Sequence, residues 1–273
     1  MHDYVEAHPE RHVAPTAAVP RPASWTSLAW TPFAVRHAPG AEDAAQAVAL
    51  AVHRAREVLA RRVGATVPVR VLIVDGVDDG SRALRPESTL WMPSAASRGW
   101  SELARMLDDR LPHRSRLLLR RTLGRAAGPL DLSSVAHTLA IDAYAASLAE
   151  SVGAAFPRRW IANAYGAYAR VVTLSEADPD ALAAQAHLAE TVGASLPPSY
   201  ALADADVRDV VERIEATRDA VHAYARRGAA PLARFLRVFP AGMAPRTDGE
   251  LARLVLRELG DAAFLPTIEA LAA

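Results

Sequence analysis

The chain has no cysteine, which excludes a disulfide framework, a Cys-ligated zinc or iron–sulfur centre and a thiol nucleophile. It has no lysine either, so all 31 basic residues are arginine. Lysine Schiff-base chemistry and a P-loop lysine are excluded with it. An excess of one charge is also missing, because 31 acidic residues bring the formal net charge to zero. General nucleic-acid binders and anionic-membrane binders need a clear basic excess, so neither class is expected. No apolar run reaches the roughly 18 residues of a membrane helix. Residues 1–12 have neither the basic start nor the apolar core of a signal peptide. The expectation is a cytoplasmic protein. Asparagine occurs once, at Asn163, and alanine is abundant, a bias that GC-rich codons produce.

What is present is core-forming material. Of 273 residues, 51% are apolar, enough for one or two globular domains with a sizeable core. Residues 1–28 carry Pro9, Pro15, Pro20 and Pro22 with little periodicity, and read as an extended or disordered arm. Alternation over 31–37 predicts a short strand, and Gly40 then breaks the chain. Apolar residues at helical spacing predict a helix over 41–63. The β-branched run at 69–74, introduced by Pro68, predicts a buried strand, and 88–92 a further one near an edge because Pro93 follows. From Trp100 onward the periodicity is helical, over 100–110, 114–125, 132–152, 157–172, 179–193, 204–227, 230–238 and 248–260. The fold class expected is α+β and mostly helical. A small N-terminal sheet with a covering helix (29–125) precedes a larger helical half (126–273), with a cleft between them.

One segment carries a resemblance. Ser134-Val135-Ala136-His137-Thr138-Leu139-Ala140-Ile141 is followed by Pro157-Arg158-Arg159-Trp160-Ile161-Ala162-Asn163-Ala164-Tyr165-Gly166-Ala167-Tyr168. This layout resembles the gluzincin metallopeptidases of the peptidase-MA-like branch, whose H-E-x-x-H helix precedes a second helix opening P-x-W-x-x-E-G-x-A-x-Y. One extra residue separates Pro157 from Trp160, and Ala164 stands at the glycine position. The order of Phe33-Ala34-Val35, the 69–74 strand, the 90–92 edge strand and the 223–232 stretch agrees with that branch. The resemblance spans roughly residues 30–270 and implies a zincin-like fold.

It does not imply zinc chemistry. Such a peptidase needs two histidines at i and i+4, which lie about 40° apart on one helix face, and a glutamate from the next helix. A further glutamate takes the proton from metal-bound water. Here His137 holds the first ligand position, Ile141 the second and Asn163 the third, while Thr138 replaces the base. One ligand of three holds no metal, so neither metal nor cofactor is expected.

The resemblance implies a cleft floored by His137 and Ile141, with Tyr144 one turn further on. Asn163 would come from the neighbouring helix, with Trp160 beneath it. Asp142 lies about 140° round the helix from His137, which directs it away from the ring. Asp131 and Ser134 stand nearer the helix start. An unliganded imidazole with a pKa near 6.5 is a competent general base.

The leading expectation is therefore a metal-independent enzyme. His137 would act as acid/base in a cyclisation or elimination, and Asn163, Tyr144 and Trp160 would position an amino-acid-like or peptide-derived substrate, as in bacterial specialised metabolism. The alternative is a non-catalytic pseudopeptidase that serves as a binding or scaffold protein. A third reading is a metallopeptidase with unusual ligands, such as His187 or Asp142 beside His137.

Weaker signals are read alongside. His8 and His12 are spaced for a metal on a helix, but Pro9 opposes the helix. Asp75 to Gly80 has the look of a calcium loop, yet Val77 and Pro86 occupy ligand positions, which makes it a turn. Arg110, Arg114, Arg116, Arg120, Arg121 and Arg125 form the densest basic region. Either it is a solvated face, or Arg116, Arg120 and Arg121 dock an acidic carrier or partner protein.

Overall fold

A computed structural model of the chain describes residues 25–29, 32–75, 88–124, 127–260 and 265. The expected turn at 76–80, the His8–His12 pair, Arg125 and residues 1–24 of the expected arm lie outside the described residues.

The architecture is a small mixed sheet joined to a mostly helical body. Among the described residues four strands, β1 (Thr26–Leu28), β2 (Ala34–His37), β3 (Val71–Val74) and β4 (Thr89–Met92), lie in the order β1-β2-β3-β4. The pair β1–β2 is antiparallel, with Thr26 opposite His37. The pairs β2–β3 and β3–β4 are parallel, with Val35, Leu72 and Leu90 in register. The first parallel pair is joined by α1 (Glu42–Val63), since parallel neighbours require a crossover. Alternation sorts the strand residues: Val35, Leu72, Val74, Leu90 and Met92 are buried with Val48, Val52 and Leu59 of α1 in one core. The other face carries Ala34, Arg36 and Trp91, which remain at least partly exposed. Expected strands and covering helix are present. In addition, Thr26–Leu28, read as the end of the arm, pairs as a sheet edge.

The helical body comprises α2 (Arg98–Arg110), α3 (His113–Thr122), α4 (Ser133–Thr138), α5 (Ala140–Ser151), α6 (Arg159–Ala177), α7 (Pro179–Ser195), α8 (Ala205–Arg227), α9 (Pro231–Val238) and α10 (Asp248–Leu259). Several starts are fixed by the residues that announce them. Asp178 caps α7 ahead of Pro179, Asp204 caps α8, and Thr247 with Glu250 makes a capping box for α10. Among the described residues no helix is long and apolar enough to cross a membrane.

Two cores hold the body together, and they interleave the two halves read from the sequence. One joins the sheet and α1 to α5, α6, α9 and α10. The other joins α2 and α3 to α4, α7 and α8, through Trp100, Leu103, Leu107, Leu119, Val135, Leu188, Val211 and Ile214. The crossing of α2 on α8 depends on Gly99: a Cβ there would stand 2.3 Å from the Asp206 carbonyl oxygen. Any side chain would push the helices apart.

The helix expected over 132–152 is two helices. At Leu139 the backbone N–H bonds the Ala136 carbonyl at 3.1 Å, three residues back instead of four, which tightens the turn. The Thr138 hydroxyl contributes, donating to the Val135 carbonyl at 2.6 Å. Such local back-bonding by Ser and Thr bends helices. His137 therefore lies in the last turn of α4, whereas Ile141 lies in the first turn of α5.

Candidate functional site

His137 lies in the last turn of α4, beside a small pocket at the carboxyl end of β4. Met92, Pro93, Ala96 and Ser97 line the pocket on that side, with Val48 of α1, Trp100 of α2 and Leu139 completing it. It has room for about one water molecule. The carboxyl ends of parallel strands are where α/β sheets place ligands. The ring is half-buried, and its Nε2 is buried without a hydrogen-bond partner among the described residues. Burial holds the imidazole below its ordinary pKa, against the Ser94 backbone and the Asp131 carboxylate, which both favour the charged form. The ring is neutral at pH 7, and a neutral imidazole accepts protons.

The other residues expected in the cleft are not gathered at this pocket. Tyr144 and Ile141 are completely buried, and the Tyr144 hydroxyl accepts from the Val67 backbone N–H at 3.3 Å. Asn163 turns to α8, where its amide donates to Glu212 at 2.8 Å. Trp160 donates from Nε1 to Asp248 at 3.4 Å. Each of the three is engaged separately. The premise behind their grouping, one continuous helix carrying His137, Ile141 and Tyr144 on one face, fails at Leu139. Among the described residues, no three His, Asp or Glu side chains are grouped to hold a metal ion.

The basic region divides in two. Arg116 donates to the Asp108 carbonyl at 2.7 Å and Arg120 to the Asp108 carboxylate at 2.8 Å. The same carboxylate accepts the Leu130 N–H at 2.8 Å. These two arginines therefore fasten α3 to the end of α2 rather than face outward. Arg121 is exposed, as are Arg110 and Arg114, and none of the three has an ion-pair partner among the described residues. Arg114, Leu118 and Arg121 follow i, i+4, i+7 spacing and share one face. Leu118 is 54% exposed, more than any other large apolar residue described. An apolar side chain flanked by cations thus projects from α3.

A buried polar cluster, which sequence reasoning missed, sits between α4–α5 and α6–α8. Arg170 is 2% exposed and holds Asp142 at 3.5 Å, while its Nη2 donates to Thr217 at 2.8 Å. Gln185, 3% exposed, donates to the Thr138 hydroxyl at 2.9 Å. Gly166 admits the Asp142 carboxyl, since a Cβ there would lie 3.2 Å from the Asp142 Cβ. Asp142 is directed to Arg170, but the helical angle expected between it and His137 does not apply, because the two residues lie in different helices. The signal for its partner was visible as one arginine inside an otherwise uncharged stretch from Trp160 to Ser175.

No protein-family model, curated protein or solved structure matches this chain.

Proposed function

We propose that the protein is a non-catalytic binding protein, gluzincin-like in layout, that docks an acidic helical partner across α3. The observation that carries this reading is the outward face of Arg114, Leu118 and Arg121 with neighbouring Arg110. Three guanidiniums lack carboxylate partners there among the described residues, and a leucine stands among them. By contrast, the exposed Arg105 is balanced by Glu102 and Asp109. A partner bearing glutamates around an apolar stripe satisfies both halves of this face, by charge complementarity at the rim and burial of Leu118 at the centre. Acidic carrier proteins present such a surface.

The test is a titration with a labelled amphipathic helix whose leucine stripe is flanked by glutamates, alongside a lysine-flanked copy. The acidic helix should bind at low salt and weaken as salt rises, because exposed charges are screened beyond about 8 Å at physiological ionic strength. The double variant Arg114→Glu/Arg121→Glu should lose tenfold or more in affinity, and Leu118→Asp a similar amount. Equal binding of both helices, or an unchanged double variant, would contradict the reading.

A second reading rests on His137. Its unpartnered Nε2, its pocket at the end of β4 and its depressed pKa support a metal-independent acid/base role on an amino-acid-like or peptide ligand. It requires the pocket to open, because the present space admits only a water-sized group. A screen of amino-acid and dipeptide derivatives for conversion separates the two readings. Turnover lost in His137→Gln with the fold intact supports the enzyme, whereas no turnover of any compound counts against it.

A further inference from the structure

We infer that the cavity between α2, α4, α6, α7 and α8 is a binding site for one small monovalent anion of chloride size. Its polar lining is Arg170, Gln185, Arg213 and Thr217, closed by Trp100 and Leu188, with room for about one water-sized sphere. Space of that size suits a single-atom ion and is too small for sulfate or phosphate.

The charge balance points the same way. Two guanidiniums, Arg170 and Arg213, border the cavity, and Asp142 lies against Arg170. Arg213 is close enough to oppose the charge on Arg170, and its side chain has no ion pair among the described residues. Arg170 is almost wholly buried, so a second cation beside it is costly, and an anion between Arg170 and the half-buried Arg213 offsets that cost. Arg170 is fixed in place by Asp142 and Thr217, so it is ordered before the ion arrives.

Gln185 supplies the second, independent observation. It is almost wholly buried and its Oε1 has no hydrogen-bond partner among the described residues. As placed, its amide donates to the Thr138 hydroxyl, which in turn donates to Val135. Turning the amide over exchanges donor for acceptor. The Thr138 hydroxyl then rotates away from the Val135 carbonyl to donate to Oε1, leaving the Leu139 turn to its backbone hydrogen bond, and the Gln185 N–H is released toward the cavity. An anion accepts that N–H, and both amide atoms are satisfied.

Two measurements test the site on the intact protein. Melting is followed in sodium gluconate and in sodium chloride at one ionic strength. For an affinity on the order of 10 mM, 100 mM chloride should raise the midpoint by about 2–3 °C. Arg213→Gln, half-buried and expected to fold, should lose that rise. Crystals grown in bromide should show an anomalous peak between Arg170 and Arg213. Equal melting in both salts, or the same rise in Arg213→Gln, would overturn the inference. So would a cavity without anomalous signal. A bromide peak without any chloride-dependent rise would mean an adventitious ion only, and would overturn it too.

Discussion

Replacing Asp142 by asparagine removes one charge and almost no volume, so it isolates the electrostatics of the buried cluster. Asp142 is 15% exposed and its partner Arg170 only 2%. The surviving guanidinium would keep its hydrogen bond to Thr217 but lose its counter-charge. It would also still face Arg213, which opposes it. Removing one partner of a buried ion pair ordinarily costs about 3–5 kcal/mol, because the other charge stays desolvated and uncompensated. For a chain of this length that corresponds to a fall of about 5–9 °C in melting midpoint. The assay is denaturant unfolding with Asp142→Asn, Arg170→Met and the double variant, run in gluconate so that no small anion takes over the lost charge. The double variant should recover much of the loss, with a coupling energy of at least about 2 kcal/mol between the two sites. A cost below about 1 kcal/mol for Asp142→Asn would refute the reasoning. It would mean that water or another group already compensates Arg170.

Three further outcomes follow from single contacts. Gly99→Ala should destabilise by about 2–3 kcal/mol in chemical denaturation, since the new methyl meets the Asp206 backbone at 2.3 Å and backbone gives way poorly; a neutral result would show that α2 and α8 slide freely. Tyr165→Phe should be neutral or stabilise by up to about 1 kcal/mol, because the buried Tyr165 hydroxyl has no partner among the described residues; a clear loss would reveal an ordered water on that oxygen. His137 is held below its ordinary pKa, so the unfolded chain takes up its proton first as pH falls. Its contribution is therefore fully present above about pH 6.5 and is lost as pH drops through the lowered folded value. The stability difference between wild type and His137→Leu should shrink over that window, and a difference that grows on acidification would reverse the sign of the assignment.

Strong local periodicity was the legible part of the fold. The run Val69–Val74 has few ways to satisfy its β-branched side chains except a buried strand, and β3 lies within it. Pro179, Asp204 and the Thr247–Glu250 pair mark helix starts by their own chemistry. What the sequence left hidden depends on partners far along the chain. The strand at Thr26–Leu28 is read as strand only once β2 lies beside it. The break at Leu139 follows from a hydroxyl that Gln185 holds from 47 residues away. That break also removes the shared face on which the expected cleft relied. Arg116 and Arg120 read as a docking face until Asp108 is placed between them, whereas Arg121 keeps its outward position. The burial of Arg170 showed only as one charge in an apolar stretch, without naming Asp142 or Thr217.

The most direct test of the docking account is hydrogen–deuterium exchange with the glutamate-flanked helix bound at saturation. The account predicts slowed exchange over residues 110–122, with the Arg114→Glu/Arg121→Glu variant showing none at the same helix concentration. Protection confined instead to residues 92–100 and 133–141, around His137, would contradict it and shift the functional site to the pocket at the end of β4.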